Sequence, residues 1–526
     1  MTLAEPVLPQ DLHNQELVSR VHPPDWVNPE PAARYNLVVI GAGTAGLVTA
    51  AGAAGLGARV ALVEKHLMGG DCLNVGCVPS KSLIRAARTI AEARLAEGLG
   101  LPIGTSTEVD FGAVMERMRR IRAQISHEDS ARRYRDELGV DVFLGSARFS
   151  GSNAVKVGGA KLRFAKAVIA TGARAAVPAV EGLEETGYLT NETVFELTAR
   201  PNRLGVIGGG PIGAELAQAF RRLGSDVTVF DRAPQLLPRE DPDAAQVVAD
   251  QFEREGIATL LGCELRRVEM LDAGKRIHVT TAAGAQKAVD VDAILVAVGR
   301  SPNVEGLNLE AVGVEFDPQR GVHVNTYLQT RNPDIYAAGD VSMAWKFTHA
   351  ADAAAKIVVQ NALFLRTAKL SSLVMPWCTY TDPEVAHVGL NEREASERGV
   401  ELATFKVPLC EVNRAVTDGQ DAGFVKIHIE KKSAGTVWKK LRNRIFWASQ
   451  RDRIVGATIV SSHAGEMISE VTLAMVNKLG LSAILATIHP YPTQAEALKR
   501  AAGVYMRSRV SPRVRRILER FMALRR

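Results

Sequence analysis

One pattern constrains this chain more than any other, and it occurs twice. YNLVVIGAGTAGLVTAAGAAGLGARVALVEKH begins at Tyr35, and RLGVIGGGPIGAELAQAFRRLGSDVTVFDR begins at Arg203. Each copy reads as apolar strand, glycine-rich turn, small-residue helix, second strand and terminal acid. The first holds Gly41, Gly43, Gly46 and Glu64; the second holds Gly208, Gly210, Gly213 and Asp231. The first glycine permits the tight turn, the second lets backbone approach a pyrophosphate, and the third packs helix on strand. The helix N-terminus attracts phosphate, and the acid suits a ribose hydroxyl. Two complete units imply two Rossmann-like domains in an α/β chain, each with its own dinucleotide.

Three further segments fit the same plan. AVIATG, AILVAVGR and IYAAGD read as apolar strands running into Gly172, Gly299 and Asp340. From about residue 375 alternating strands (FVKIHIE, RIVGATIV) and helices (MISEVTLAMVNK, TQAEALKRAAGVYMR) predict a separate α+β domain. The expected layout is an extended arm over 1–34 and a first nucleotide domain over 35–180 and 296–370. A second nucleotide domain covers 181–295, a C-terminal domain 371–506 and a tail 507–526.

GGDCLNVGCVPSK, from Gly69 to Lys81, places Cys72 and Cys77 together in a chain with five cysteines. Zinc would need further Cys or His at matching spacing, and Cys263, Cys378 and Cys410 are scattered singly. A staple this short closes a small loop and stabilises little. Redox use is favoured. KSLIRAARTIAEARLAEG has helical periodicity, Pro79 suits a first turn, and Cys77 then sits near a helix N-terminus that favours the thiolate.

The composition, 46% hydrophobic and 23% charged, is that of a globular protein. Few cysteines, no secretory-type N-terminus and no long apolar run point to the cytoplasm. The net charge of +6 is concentrated. Residues 507–526 hold eight Arg and one Glu, and residues 431–453 hold four Lys, four Arg and one Asp. The remainder is acidic, which argues against nucleic-acid binding. SPRVRRILERFMALRR predicts a basic amphipathic helix capped by Ser511, with Val510, Val514, Ile517, Leu518 and Phe521 on one stripe. Such segments suit an anionic membrane surface; the reading favours packing on the C-terminal domain or a second copy.

Two nucleotide folds followed by this cysteine pair, with AVGRSPN and AAGD, resemble the flavin-dependent pyridine nucleotide–disulfide oxidoreductases over about residues 35–506. The resemblance implies FAD on the first fold, NADH or NADPH on the second, and a homodimer whose C-terminal domain completes the partner's site. It implies Cys77 as the charge-transfer thiol, Cys72 as the interchange thiol, Lys81 beside the flavin paired with Glu215, and Asp340 on the ribityl chain. Asp231 points to NADH while Arg232 suits a 2′-phosphate; the reading leans to NADH.

The sequence departs from most disulfide-reducing relatives in IHPYPTQAEAL. Their motif has His where Tyr491 stands, with Glu496 in its usual place. Tyrosine is a poor base near neutrality, and His489 substitutes only if the backbone shifts. Tyr491, together with Tyr188 of GYLTNETVFEL, resembles mercuric reductases, which implies a thiol-reactive acceptor such as Hg(II) or a small disulfide. The vicinal cysteines at the C-terminus and the GMTCxxC module of that group are missing. The alternatives are a transhydrogenase- or quinone-type flavin reductase and a non-enzymatic redox sensor.

Overall fold

The computed structural model describes residues 6–101, 108–431 and 452–526. Contacts divide the chain into two units. Residues 1–232 and 256–373 form the first, and residues 233–255 and 374–526 the second. Segment 233–255 falls within the span read as the second nucleotide domain and packs with the C-terminal residues.

The first unit is built on β1 (Tyr35–Ile40), β2 (Val60–Glu64), β3 (Asp141–Leu144), β4 (Ala147–Phe149), β5 (Ala154–Val157) and β6 (Ala160–Ile169). They form one sheet in the order β3-β2-β1-β6-β5-β4, and the strand Ile335–Ala337 pairs in parallel with β6. β1 and β2 carry nearly continuous apolar side chains, as a parallel strand covered on both faces requires. A second parallel sheet follows the order 258–261, 226–231, 203–207, 293–296. Each anticipated glycine-rich turn thus joins a central parallel strand to a helix.

The arm is not wholly extended. Leu12–Val21 forms a helix, α1, with Asp11 as N-cap accepting from the Asn14 N–H at 2.8 Å. Leu17 and Val21 are fully buried. The prolines that made the arm read as extended lie outside the helix; Pro23 and Pro24 follow its end. Beyond them Asn28 pairs with both backbone groups of Leu144, at 2.8 and 2.9 Å. This covers the exposed edge of β3.

The second unit holds a five-stranded antiparallel sheet in the order 376–379, 384–389, 454–461, 424–430, 402–408. The helices Ala464–Val476 and Glu496–Ser508 bury Met467, Val471, Leu498 and Tyr505 against its core. The tail helix spans Pro512–Ala523, and the Ser511 hydroxyl accepts from the Val514 N–H at 3.3 Å. Every residue of it is exposed, so in this chain it does not pack on the C-terminal domain. Most of the basic segment 431–453 lies outside the described residues. No helix among the described residues is long and apolar enough to cross a membrane.

A buried cation organises the second unit. Lys426, 1% exposed, donates to Asp241 and Asp243 at 2.8 Å each and lies 3.3 Å from Glu392. Asp241, Glu392 and His428 lie close enough to suggest a metal site, but the Lys426 ammonium already supplies the positive charge there. Removing one partner of a buried pair strands the other charge. Lys426→Ala is therefore expected to lower stability by about 3–5 kcal/mol. Urea unfolding followed by fluorescence measures it, and a loss below about 1 kcal/mol contradicts this role.

Candidate redox site and nucleotide cradles

The redox segment is two helices set almost end to end. α2 (Thr44–Gly55) precedes them in the chain; α3 (Gly70–Asn74) carries Cys72, and α4 (Cys77–Leu95) begins at Cys77. Cys77 is thus the first residue of a 19-residue helix, where unpaired N–H groups favour negative charge. Its Sγ lies 3.3 Å from Thr348 Oγ1, on the first residue of the helix Thr348–Leu363. The hydrogen bond from Cys72 pulls the Cys77 thiol below the ordinary range, aided by Thr348 and the Lys81 charge against the opposing cost of burial. Cys72 moves the opposite way: its hydrogen bond to Cys77, burial and the Asp129 charge raise it. The two sulfurs are thus biased in opposite directions, Cys77 toward thiolate and Cys72 toward thiol.

One turn along α4, Lys81 Nζ donates to Glu215 Oε2 at 2.7 Å. Glu215 is 6% exposed and sits on the helix Pro211–Arg222, which the second glycine-rich turn launches. The expected pair is present and joins the redox helix to that turn.

Both cradles fit a dinucleotide. Gly41 holds φ +102°, and a Cβ there would strike the Ala170 carbonyl. A Cβ on Gly70 would fall 2.6 Å from Gly43 Cα, so the two backbones meet only because residue 70 has no side chain. α2 follows Gly43, and the second helix follows Gly210; neither start has a side-chain cap. A Cβ on Gly210 would meet nothing within 4 Å. Uncapped N–H groups facing open space are what a pyrophosphate needs. Gly46 and Gly213 each pack against the carbonyl of the turn's first glycine, Gly41 and Gly208. Glu64 is buried, accepting from Ala42 N–H at 2.7 Å and His66 N–H at 2.8 Å. Asp231 accepts from Gly209 N–H at 2.5 Å, the same arrangement one domain on, and Arg232 is exposed beside it. Gly172 (φ +69°) and Gly299 (φ +129°) both occupy left-handed backbone.

Asp340 lies 3.2 Å from Arg300 Nε, and Arg300 also contacts Asp71. Burial raises the Asp340 carboxyl while Arg300 lowers it. Neither Asp71 nor Arg300 was singled out in the sequence; both lie inside recognised motifs, and only the fold brings them together. Asp129 was missed for the same reason. It belongs to no motif, yet its carboxylate lies 2.9 Å from where a Gly69 Cβ would stand, and burial raises it to about 6.

The remaining expected residues fall elsewhere. Tyr188 donates to Glu184 Oε1 at 3.2 Å in the first unit; burial and that carboxylate raise its phenol. Tyr491 and Glu496 lie in the second unit. Tyr491 is 70% exposed, and its hydroxyl accepts from Asn413 Nδ2 at 2.9 Å. Glu496 takes Arg500 at 3.0 Å on one oxygen, while its buried Oε2 has no partner among the described residues. His489 is held by Glu470 at 3.0 Å and by the Thr487 carbonyl at 3.2 Å.

Comparison with known proteins agrees with this geometry. Residues 35–355 match the pyridine nucleotide-disulphide oxidoreductase family, and residues 375–438 and 439–502 match its dimerisation domain. The mercuric reductase of Lysinibacillus sphaericus is 36% identical over 89% of this chain and 82% of its own length. The dihydrolipoyl dehydrogenase of Thermus scotoductus is 33% identical over 89% and 96%. Among solved structures, the HOCl-induced flavoprotein disulfide reductase RclA of Escherichia coli, in a Cu(II) complex, superimposes with TM-score 0.77 at 27% identity. It covers 90% of this chain and 100% of that one. The chain belongs to the pyridine nucleotide-disulphide oxidoreductases, enzymes that use FAD and NAD(P)H. The dimerisation domain supports a homodimer.

The lowered Cys77 thiol has a spectroscopic consequence. In the anaerobically reduced enzyme, thiolate absorbance near 240 nm should persist well below the free-cysteine value of about 8.5. It should fade as pH falls through the depressed value, and Cys77→Ser should abolish it. Titration at the free-cysteine value contradicts the assignment of the anion to Cys77.

Proposed function

We propose that this chain is an NAD(P)H-dependent reductase whose Cys72–Cys77 pair hands electrons to a soft, thiol-reactive acceptor. Hg(II) is the leading acceptor and a small disulfide the second. The observation that carries the reading is the placement of Cys77 at the start of α4, beside Thr348 and one turn from the Lys81–Glu215 pair. The identity to mercuric reductases supports the metal acceptor.

When bound, FAD and NAD(P)H supply a hydride donor and a two-electron path to sulfur. On the protein side, Gly41, Gly43 and Gly46 with α2 hold one pyrophosphate, and Gly208, Gly210 and Gly213 the other. Glu64 and Asp231 orient the riboses, Asp340 the ribityl chain, and Gly172 and Gly299 let backbone lie close. Asp231 favours NADH over NADPH, since it repels a 2′-phosphate. Lys81, held by Glu215, would stabilise negative charge on the reduced flavin.

Two electrons and one proton break the Cys72–Cys77 bond and leave one thiolate and one thiol. Cys77 keeps the charge, because the α4 N-terminus and Thr348 stabilise it. Cys72 keeps a proton until an acceptor displaces it. With Hg(II), both sulfurs become thiolate ligands, a match of soft ligand and soft ion. Two further electrons, from a second NAD(P)H, reduce the bound ion to the element, and with one proton taken up the sulfurs return as one thiolate and one thiol. In this reading Tyr188 serves the acceptor's approach to its own chain's cysteines, while Tyr491 and Glu496 serve the site of the second subunit. The transhydrogenase and quinone readings leave Cys72 and Cys77 without work, and the sensor reading leaves the Lys81–Glu215 pair and the two nucleotide cradles without turnover to serve. The cytoplasm, with its NAD(P)H, is the proposed location.

Anaerobic stopped-flow of the full-length protein with NADH should show oxidation that depends on Hg(II) buffered by excess small thiol. Cys72→Ser should lower it at least 100-fold. Hg(II)-independent turnover with a small disulfide points to the second acceptor, and no turnover with either refutes the reading.

The tail helix fits an anionic bilayer surface through its arginines and the exposed Val514, Ile517, Leu518 and Phe521. Full-length protein should co-sediment with phosphatidylserine vesicles at low salt, and protein ending at residue 510 should not. Equal behaviour of the two removes the membrane contact.

A further inference from the structure

The N-terminal helix has no part in the reading above, yet hydrogen bonds tie it to the redox loop. α1 packs on α5 (Phe111–Ile125), and Asp11 at its cap pairs with Arg119 at 2.5 Å. One turn on, Arg122 reaches both ways. Its Nη2 donates to Asn14 Oδ1 on α1 at 2.6 Å, and its Nη1 donates to the Asn74 carbonyl at 2.6 Å. Asn74 lies between Cys72 and Cys77. Its own side-chain amide donates to the carbonyls of Met68 (3.0 Å) and Gly70 (2.9 Å). Met68 N–H in turn donates to the Val21 carbonyl at the end of α1 (3.2 Å). Asn14, Asn74 and Arg122 are 2%, 4% and 4% exposed.

We propose that Asn14 and Arg122 are positioning residues for the Cys72–Cys77 loop, and that the N-terminal helix thereby sets the disulfide–dithiol equilibrium of that pair. The proposal rests on the reading that these two cysteines form the working disulfide. A buried guanidinium cannot give up a partner cheaply, so Asn14 fixes Arg122. Arg122 in turn fixes the carbonyl between the sulfurs. In the dithiol state this keeps Cys72 against Cys77, so little ordering remains to be done when the disulfide closes. The anchored loop gives the thiols a high effective concentration and favours the disulfide. Loosening the anchor shifts the pair toward dithiol.

The test uses full-length, FAD-loaded protein equilibrated with mixtures of reduced and oxidised dithiothreitol. Each exchange is balanced: the protein disulfide gains two electrons and two protons as dithiothreitol closes its ring. Acid quenching, alkylation and mass measurement count the two thiols gained. Asn14→Leu should move the equilibrium about tenfold toward dithiol, equivalent to about 30 mV. Arg122→Lys, which cannot span both partners, should move it the same way. Asn14→Asp keeps an acceptor for Arg122 and should stay within about twofold of the parent.

A purely structural contact predicts lower unfolding midpoints with an unmoved equilibrium. That result in the folded Asn14→Leu or Arg122→Lys protein overturns the proposal, and if one variant does not fold the other decides. If the parent protein gains no thiols at all, the failure belongs to the redox reading instead.

Discussion

Glu215 is a carboxylate with almost no access to water, and its charge must be met inside the protein. Lys81 meets it at 2.7 Å. The two residues lie 134 positions apart, one on the helix that begins with Cys77 and one on the helix launched by the second glycine-rich turn. The pair therefore fixes the redox helix relative to the place where a nicotinamide nucleotide's pyrophosphate is proposed to rest. It also keeps a cation one turn from the Cys77 sulfur, where it helps hold the thiol down. A surface ion pair contributes little; a half-buried one between two helices that each start at a functional turn decides where chemistry can happen.

The glycines work by a second constraint. Gly43 and Gly70 bring the nucleotide turn and the redox segment into backbone contact. The cysteine pair thus follows the first fold in sequence and also lies against it in space. Electron transfer between a flavin and a disulfide needs that closeness, and a single added methyl at Gly70 would prevent it.

Features dictated by backbone geometry were legible in the sequence. Both turns, the strands entering them, the helix after Cys77 and the capped tail helix rest on local rules, and the structure has them where those rules put them. The Lys81–Glu215 pair came through family resemblance, because nothing local links residues so far apart. Other features were illegible for a physical reason. α1 has weak periodicity and is held by tertiary partners, Arg119 and Arg122, that no pattern within residues 1–34 reveals. Asp129, Asp71 and Arg300 matter only because folding brings them beside the glycines and Asp340. His489 read as a substitute base only if the backbone shifted; its partner, Glu470, lies on the helix Ala464–Val476 and could not be paired with it from sequence.

The central claim is that electrons pass through Cys72 and Cys77, and anaerobic titration of the purified protein with NADH tests it most directly. The account predicts that the first two electron equivalents produce a long-wavelength absorption band while the main flavin absorbance largely remains, and that Cys77→Ser loses the band. Bleaching of the flavin absorbance from the first equivalent, with no such band in the parent protein, would contradict it.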